Sequence, residues 1–102
     1  MKASRWRKIE PQRNTLLGFC NLHLTSGLVL HDCTFHRMSD GREWVGTPTR
    51  PQLDREGRVR RGPSGKPLYA PTLSIPNPEQ RKKFEAEALA AIHELWAERG
   101  AP

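Results

Sequence analysis

The side chains in this chain best placed to do chemistry are cations, and they are gathered in two segments. Arg50, Arg55, Arg58, Arg60, Arg61 and Lys66 lie within residues 48–67, PTRPQLDREGRVRRGPSGKP, against only Asp54 and Glu56, a net of +4. Residues 1–13 carry Lys2, Arg5, Arg7, Lys8 and Arg13 against Glu10, again +4, while 14–47 and 68–102 come to −1 each. The formal charge of +6 is therefore segmental. A guanidinium bonds phosphate oxygens through a planar fork and can also reach guanine edges in the major groove. Glycines beside it let the backbone approach closely. A positive field of this kind draws in nucleic acid and speeds encounter. Two lesser groups point the same way. Trp6 sits among Arg5, Arg7 and Lys8, and an aromatic ring among cations can stack on a base while its neighbours hold phosphate. Arg81, Lys82 and Lys83 fall at the start of a predicted helix, where cations oppose the macrodipole at a cost of about 0.3–1 kcal/mol. A placement that local physics disfavours hints at an anionic partner.

Other chemistries find less support. Cys20, His23, His31, Cys33 and His36 cluster on two predicted strands. Alternation puts His31 and Cys33 on one face and His36 on the other, and the spacings fit no zinc-finger or ribbon pattern. No metal and no cofactor is expected. A nucleophilic Cys–His pair would need an activating environment, and both cysteines fall mid-strand, away from a helix N-terminus. The chain therefore does not read as an enzyme, and the two cysteines read as reduced, partly buried thiols. No apolar run approaches about 18 residues and no leader pattern is visible, so neither membrane insertion nor export is expected and the location reads as cytoplasmic.

The elements that must position the cations follow from periodicity. Residues 1–14 show none and read as a flexible basic arm. From Leu16 to Leu24 apolar and small residues alternate with period 2, the mark of a strand. Thr25-Ser26-Gly27 makes a turn, Leu28 to His36 a second strand, Ser39-Asp40-Gly41 another turn, and Glu43 to Gly46 a third strand ended by Pro48. The first hairpin's register has two solutions. A two-residue Ser26-Gly27 loop sets Cys20 opposite Cys33, whereas a three-residue Thr25-Ser26-Gly27 loop puts them on opposite faces. Residues 48–67, with four prolines and three glycines, form a long exposed excursion of the kind that is functional or disordered. Leu68 to Ile75 reads as a fourth strand, with Pro71 marking an edge or bulge. Asn77 suits a helix N-cap and Pro78 the first helical position. Phe84, Ala88, Ala91, Ile92, Leu95 and Trp96 then make one apolar stripe, closed by Arg99 and Gly100. The fold class is α+β: an antiparallel β-meander of about four strands, one C-terminal helix packed on it, and a long basic loop between strands 3 and 4. With 102 residues and 35 % hydrophobic content the core is small, and dimerisation would relieve that shortage.

From Leu16 onward the chain resembles the SpoVG septation-regulator family. Val29-Leu30-His31-Asp32-Cys33-Thr34-Phe35 matches its strand with a His-Asp step, and Asp40-Gly41 its turn. Trp44-Val45-Gly46-Thr47-Pro48-Thr49-Arg50 matches its aromatic strand ending in proline, Asp54-Arg55-Glu56-Gly57 its polar turn, and Arg81 through Ile92 its helix. The basic loop is longer than usual, Thr47 stands where the family tends to have Met, and the N-terminal arm is extra. The resemblance implies one domain over 15–99, acting as a homodimer that binds nucleic acid, DNA favoured over RNA, in a regulatory role. An alternative from another class is a protein-interaction module whose arginines steer an acidic partner, without nucleic-acid contact.

Overall fold

The computed structural model describes residues 1–99. Its elements are β1 (Lys2–Arg13), β2 (Leu16–His23), β3 (Val29–Arg37), β4 (Glu43–Gly46), β5 (Thr49–Pro51), β6 (Tyr69–Pro71) and α1 (Pro78–Arg99). The first four strands form one antiparallel sheet in the order β1-β2-β3-β4, and β5 and β6 form a separate two-stranded ribbon. The architecture is the expected α+β meander with its C-terminal helix.

The fourth strand of the sheet comes from an unexpected place. The segment expected as a mobile arm is β1, paired along β2 from Lys2↔His23 to Arg13↔Leu16. The Leu68–Ile75 stretch stays out of the sheet, and only Tyr69–Pro71 pairs, with β5. Bulges hide β1 in the sequence. Its register shifts after Ser4 and again after Lys8, and Arg5 adopts φ 53°. Each inserted residue resets the alternation, so Ala3 and Trp6 both pack against the core although they lie three residues apart. An edge strand also tolerates a charged outer face.

Both solutions for the β2–β3 hairpin are partly realised. Leu24 donates its amide to Leu28 O at 2.8 Å, which leaves Thr25-Ser26-Gly27 as a three-residue loop. Yet Cys20 faces Cys33, because the register slips by one between Leu22↔Leu30 and Cys20↔Cys33. The extra residue falls on β3 at Asp32, which takes φ 58°, a region that Asp tolerates better than most residues. The same bulge separates His31 from Cys33, correcting the expectation that they share a face. Cys33 is fully buried, while His31 is exposed.

Helix α1 covers one face of the sheet. Asn77 caps it, its Oδ1 accepting the amides of Glu79 at 2.9 Å and Gln80 at 3.1 Å. Ala88, Ile92 and Trp96 pack against Leu17, Cys20, Leu22, Cys33 and Phe35, with Trp6, Val45 and Phe84 around the margin. Trp6, Phe35 and Trp96 meet edge to face, with centroids 4.9–5.8 Å apart. Gly18 makes room for this cluster: a Cβ there would lie 2.6 Å from the Trp6 ring and from Arg7 O. Both cysteines are free and buried. Burial pushes the Cys20 thiol up to about 11 and, with Cys20 and Asp32 nearby, the Cys33 thiol up to about 12.

Candidate nucleic-acid interface

The excursion from 48 to 72 is exposed, as its composition implies, but it is not a slack loop. Gln52 N–H donates to Leu68 O at 2.8 Å, Leu68 N–H to Arg60 O at 2.9 Å, and Arg60 N–H to Gln52 O at 2.8 Å, which closes a ring of three chain segments. Two turns repeat eight residues apart. Asp54 N–H bonds Arg58 O and Gly57 N–H bonds Asp54 O, while Gly62 N–H bonds Lys66 O and Gly65 N–H bonds Gly62 O. Gly57 and Gly65 hold φ 80° and 82°, positive values that glycine adopts at no steric cost. Bridges Leu53↔Val59 and Arg61↔Pro67 form two sides, and the β5–β6 pairing forms the third. At the base, Thr72 bonds Pro48 O through both its amide and its hydroxyl. Backbone hydrogen bonds thus do here what an apolar core does elsewhere.

This three-sided unit is a scaffold for cations. The eight-residue repeat puts Arg50, Arg58 and Lys66 at equivalent positions, and Arg55, Arg60 and Arg61 lie between them. All six are exposed, and among the described residues none is in a salt bridge. Asp54, the nearest carboxylate in sequence, is occupied in accepting the amides of Glu56 and Arg58, both at 2.9 Å. Arg60 reaches only Gln52 Oε1 at 3.4 Å, and Arg61 only the carbonyl of Gly65 at 3.0 Å. Arg50 and Arg60 line one concavity of about 290 Å³ with Gln52 and Ala70. Guanidiniums left without carboxylate partners keep their full capacity for phosphate.

The N-terminal cations are placed differently. Lys2 pairs with Glu94 at 2.7 Å, Lys8 with Glu10 at 3.3 Å, and Arg7 with Asp32. The Lys2 ammonium is shifted up by its bond to Glu94, and Glu94 is shifted down by the same contact. Trp6 is no base-stacking ring, since its indole is wedged between Phe35 and Trp96 in the core. Alternation around the Arg5 bulge points Trp6 inward and Arg7 outward. Arg81, Lys82 and Lys83 are exposed and free of salt bridges among the described residues. Arg81 borders a cleft of about 440 Å³ with Val45, Pro71 and Phe84, at the base of the three-sided unit. The unit and the helix start therefore adjoin, while β1 lies at the far edge of the sheet.

Sequence reasoning passed over the sheet face opposite the helix, on which no helix packs among the described residues. Thr34 and His36, outward between Cys33, Phe35 and Arg37, pair with Gly46 and Trp44 on one side and with Phe19 and Leu16 on the other. His36 stacks on Trp44 at 5.1 Å and an interplanar angle of 4°, and its ring nitrogens sit 3.1 Å from Thr15 Oγ1 and 2.9 Å from Thr34 Oγ1. Burial lowers its basicity. Gly46 leaves space for Thr34, whose hydroxyl would be 2.3 Å from an added Cβ. Among the described residues, no group of three His, Cys, Asp or Glu side chains converges to hold a metal, and no helix is long and apolar enough to cross a membrane. No protein-family model matches the chain, and no curated protein or solved structure matches it.

Proposed function

We propose that this protein binds nucleic acid, DNA in preference to RNA, through the three-sided unit of residues 48–72, and that it acts as a homodimeric regulator. The observation that carries the reading is the set of six exposed cations, free of salt bridges among the described residues, on a backbone held by its own hydrogen bonds. Side chains on a fixed scaffold lose less entropy on engaging phosphate than those on a slack loop. Arg81, Lys82 and Lys83 extend the cationic surface at its base. The resemblance to the SpoVG family from Leu16 onward, with its implied dimer, supports the same reading. The test is affinity for a mixed-sequence DNA duplex and its RNA counterpart across a salt series, with sedimentation velocity on the same samples. The reading expects log affinity to fall steeply with log salt, tighter binding of DNA, and a dimer. Salt-independent binding, or none, would overturn it.

A second reading draws on one observation. Leu53 is 60 % exposed and Tyr69 58 %, at equivalent positions of the repeat. An acidic protein partner could use those apolar side chains while the arginines steer its approach. Nuclease treatment separates the two, since it releases partners held by nucleic acid and leaves a protein partner in place.

A further inference from the structure

The sheet face opposite α1 joins the three-sided unit without a break. Arg5, Arg7, Asn21, His31 and Asp32 line a concavity of about 350 Å³ on this face. A second cleft of about 350 Å³ begins at the same His31 and Asp32 and passes Phe19, Thr34 and Gly46 to Thr49. Thr49 opens β5, and its neighbour Arg50 belongs to the basic unit. A path thus runs from the Arg5–Arg7 edge across the sheet to the cations of 48–72, roughly 14 Å over three strand spacings. On its floor lies Phe19, half-exposed, with the Arg7 guanidinium 5.9 Å from the ring centroid. Two bulges build this arrangement. Arg5 and Asp32 both take positive φ, and the amide freed at Asp32 is accepted by the buried Asn21 Oδ1 at 3.2 Å. Trp44 lies on the same face, half-exposed above His36.

From this geometry we infer that the open sheet face is a base-stacking surface for a single strand of nucleic acid, with a base on Phe19 and adjoining phosphates on Arg7 and Arg50. The inference rests on the nucleic-acid reading and narrows its substrate to an unpaired strand. A duplex cannot lay a base on Phe19, because its bases are stacked inside, whereas every unpaired base offers a π-face. The face continues the cationic surface and has no acidic side chain in its clefts other than Asp32. Asp32 holds Arg7 beside the ring, and an arriving phosphate competes with it for that guanidinium.

The experiment compares a thymidine 12-mer with a mixed-sequence duplex of equal length, reading anisotropy of the labelled DNA and tryptophan emission. The expected wild-type result is tighter binding of the single strand, with quenching that disappears in Trp44→Phe, since Trp6 and Trp96 pack in the core. Phe19→Thr is expected to weaken single-strand binding about tenfold and leave the duplex unchanged. Asp32→Asn, tolerated at φ 58°, is expected to raise single-strand affinity about threefold by freeing Arg7. A gain of that kind cannot come from unfolding. Unchanged single-strand affinity in Phe19→Thr, or a loss in Asp32→Asn, overturns the inference. Duplex binding that responds to the loop arginines, with single-strand binding that responds to neither of these two variants, leaves the broader reading standing alone. Binding of neither nucleic acid removes both. If Phe19→Thr turns a dimer into a monomer, the face belongs to a second copy and the inference falls.

Discussion

The triple variant Arg58→Ser, Arg60→Ser, Arg61→Ser offers the sharpest test of the three-sided unit. The change removes half of the six cations without touching the ring that orders them, because that ring is closed by the amides and carbonyls of residues 52, 60 and 68. Among the described residues two side-chain hydrogen bonds are lost, Arg60 to Gln52 Oε1 at 3.4 Å and Arg61 to the Gly65 carbonyl at 3.0 Å. If each cation of the unit displaces one counterion from duplex DNA, the slope of log affinity against log salt is roughly −5.4 for wild type and roughly −2.7 for the variant. Between 50 and 200 mM salt that becomes a fall of about 1,800-fold against about 40-fold. Fluorescence anisotropy with a labelled duplex at four salt concentrations measures both slopes. Circular dichroism checks that the variant keeps the wild-type fold. Lys2→Ser with Lys8→Ser serves as the control. Both lysines are held by carboxylates, Glu94 and Glu10, so the slope is expected to move by less than about 1. A triple variant whose slope equals that of wild type, or a control that matches the triple variant, refutes the assignment of binding to residues 48–72.

Other outcomes follow from the packing. Trp6→Leu is expected to cost about 2 kcal/mol in urea unfolding, as a core cavity would, and to leave DNA affinity unchanged below the transition; a loss of affinity in the folded protein would return Trp6 to the interface. Gly46→Ala forces a Cβ to 2.3 Å from Thr34 Oγ1 and is expected to cost about 1–3 kcal/mol. Adding Thr34→Ala should recover most of that loss, and no recovery would place the clash elsewhere. Glu43 is bound by Arg37 and His93, both at 2.7 Å. Burial pushes its carboxyl up, but the hydrogen bonds and charges of His93 and Arg37 outweigh this and hold it below the usual range. A depressed folded pKa contributes stability that is present above the unfolded value near 4.5 and fades as pH falls through the lower folded value. Glu43→Gln is thus expected to be about 1–2 kcal/mol less stable at pH 7 and to show a flatter acid-unfolding curve; an unchanged urea midpoint refutes it. The buried thiols, raised to about 11 and about 12, should resist a water-soluble disulfide reagent at pH 8 until the protein unfolds. Fast labelling of the native state would show that Cys20 and Cys33 are accessible.

The helix was legible in the chain from its cap to Arg99, while the expected stop at Gly100 lies outside the described residues. Asn77, Pro78 and the stripe from Phe84 to Trp96 act within a few residues of one another, and Asn77 caps the helix as its type suggests. The strands from Leu16 to Gly46 were legible too, because period-2 alternation survives one or two bulges. Strand β1 was not. Its inward residues Ala3 and Trp6 break the period-2 alternation, since the turn at Arg5 depends on pairing with β2. The ring at 52, 60 and 68 left a trace in the spacing of Gly57 and Gly65, but a repeat of eight with so few apolar residues looks like low complexity until its hydrogen bonds are seen.

Local sequence therefore determined where the charge lies, the helix and the strands between Leu16 and Gly46, and that residues 48–67 stand outside the core. These are properties of near neighbours and of composition. Only the tertiary structure decided which cations remain free, that Trp6 belongs to the core, that Cys20 faces Cys33 despite a three-residue loop, and that an open face bearing Phe19 adjoins the basic unit. Each depends on residues distant in the chain: Glu94 beside Lys2, Trp96 beside Trp6, Asn21 accepting the Asp32 amide, Leu68 closing on Gln52. Burial and pairing are properties of the folded surface as a whole, so no window of the sequence contains them.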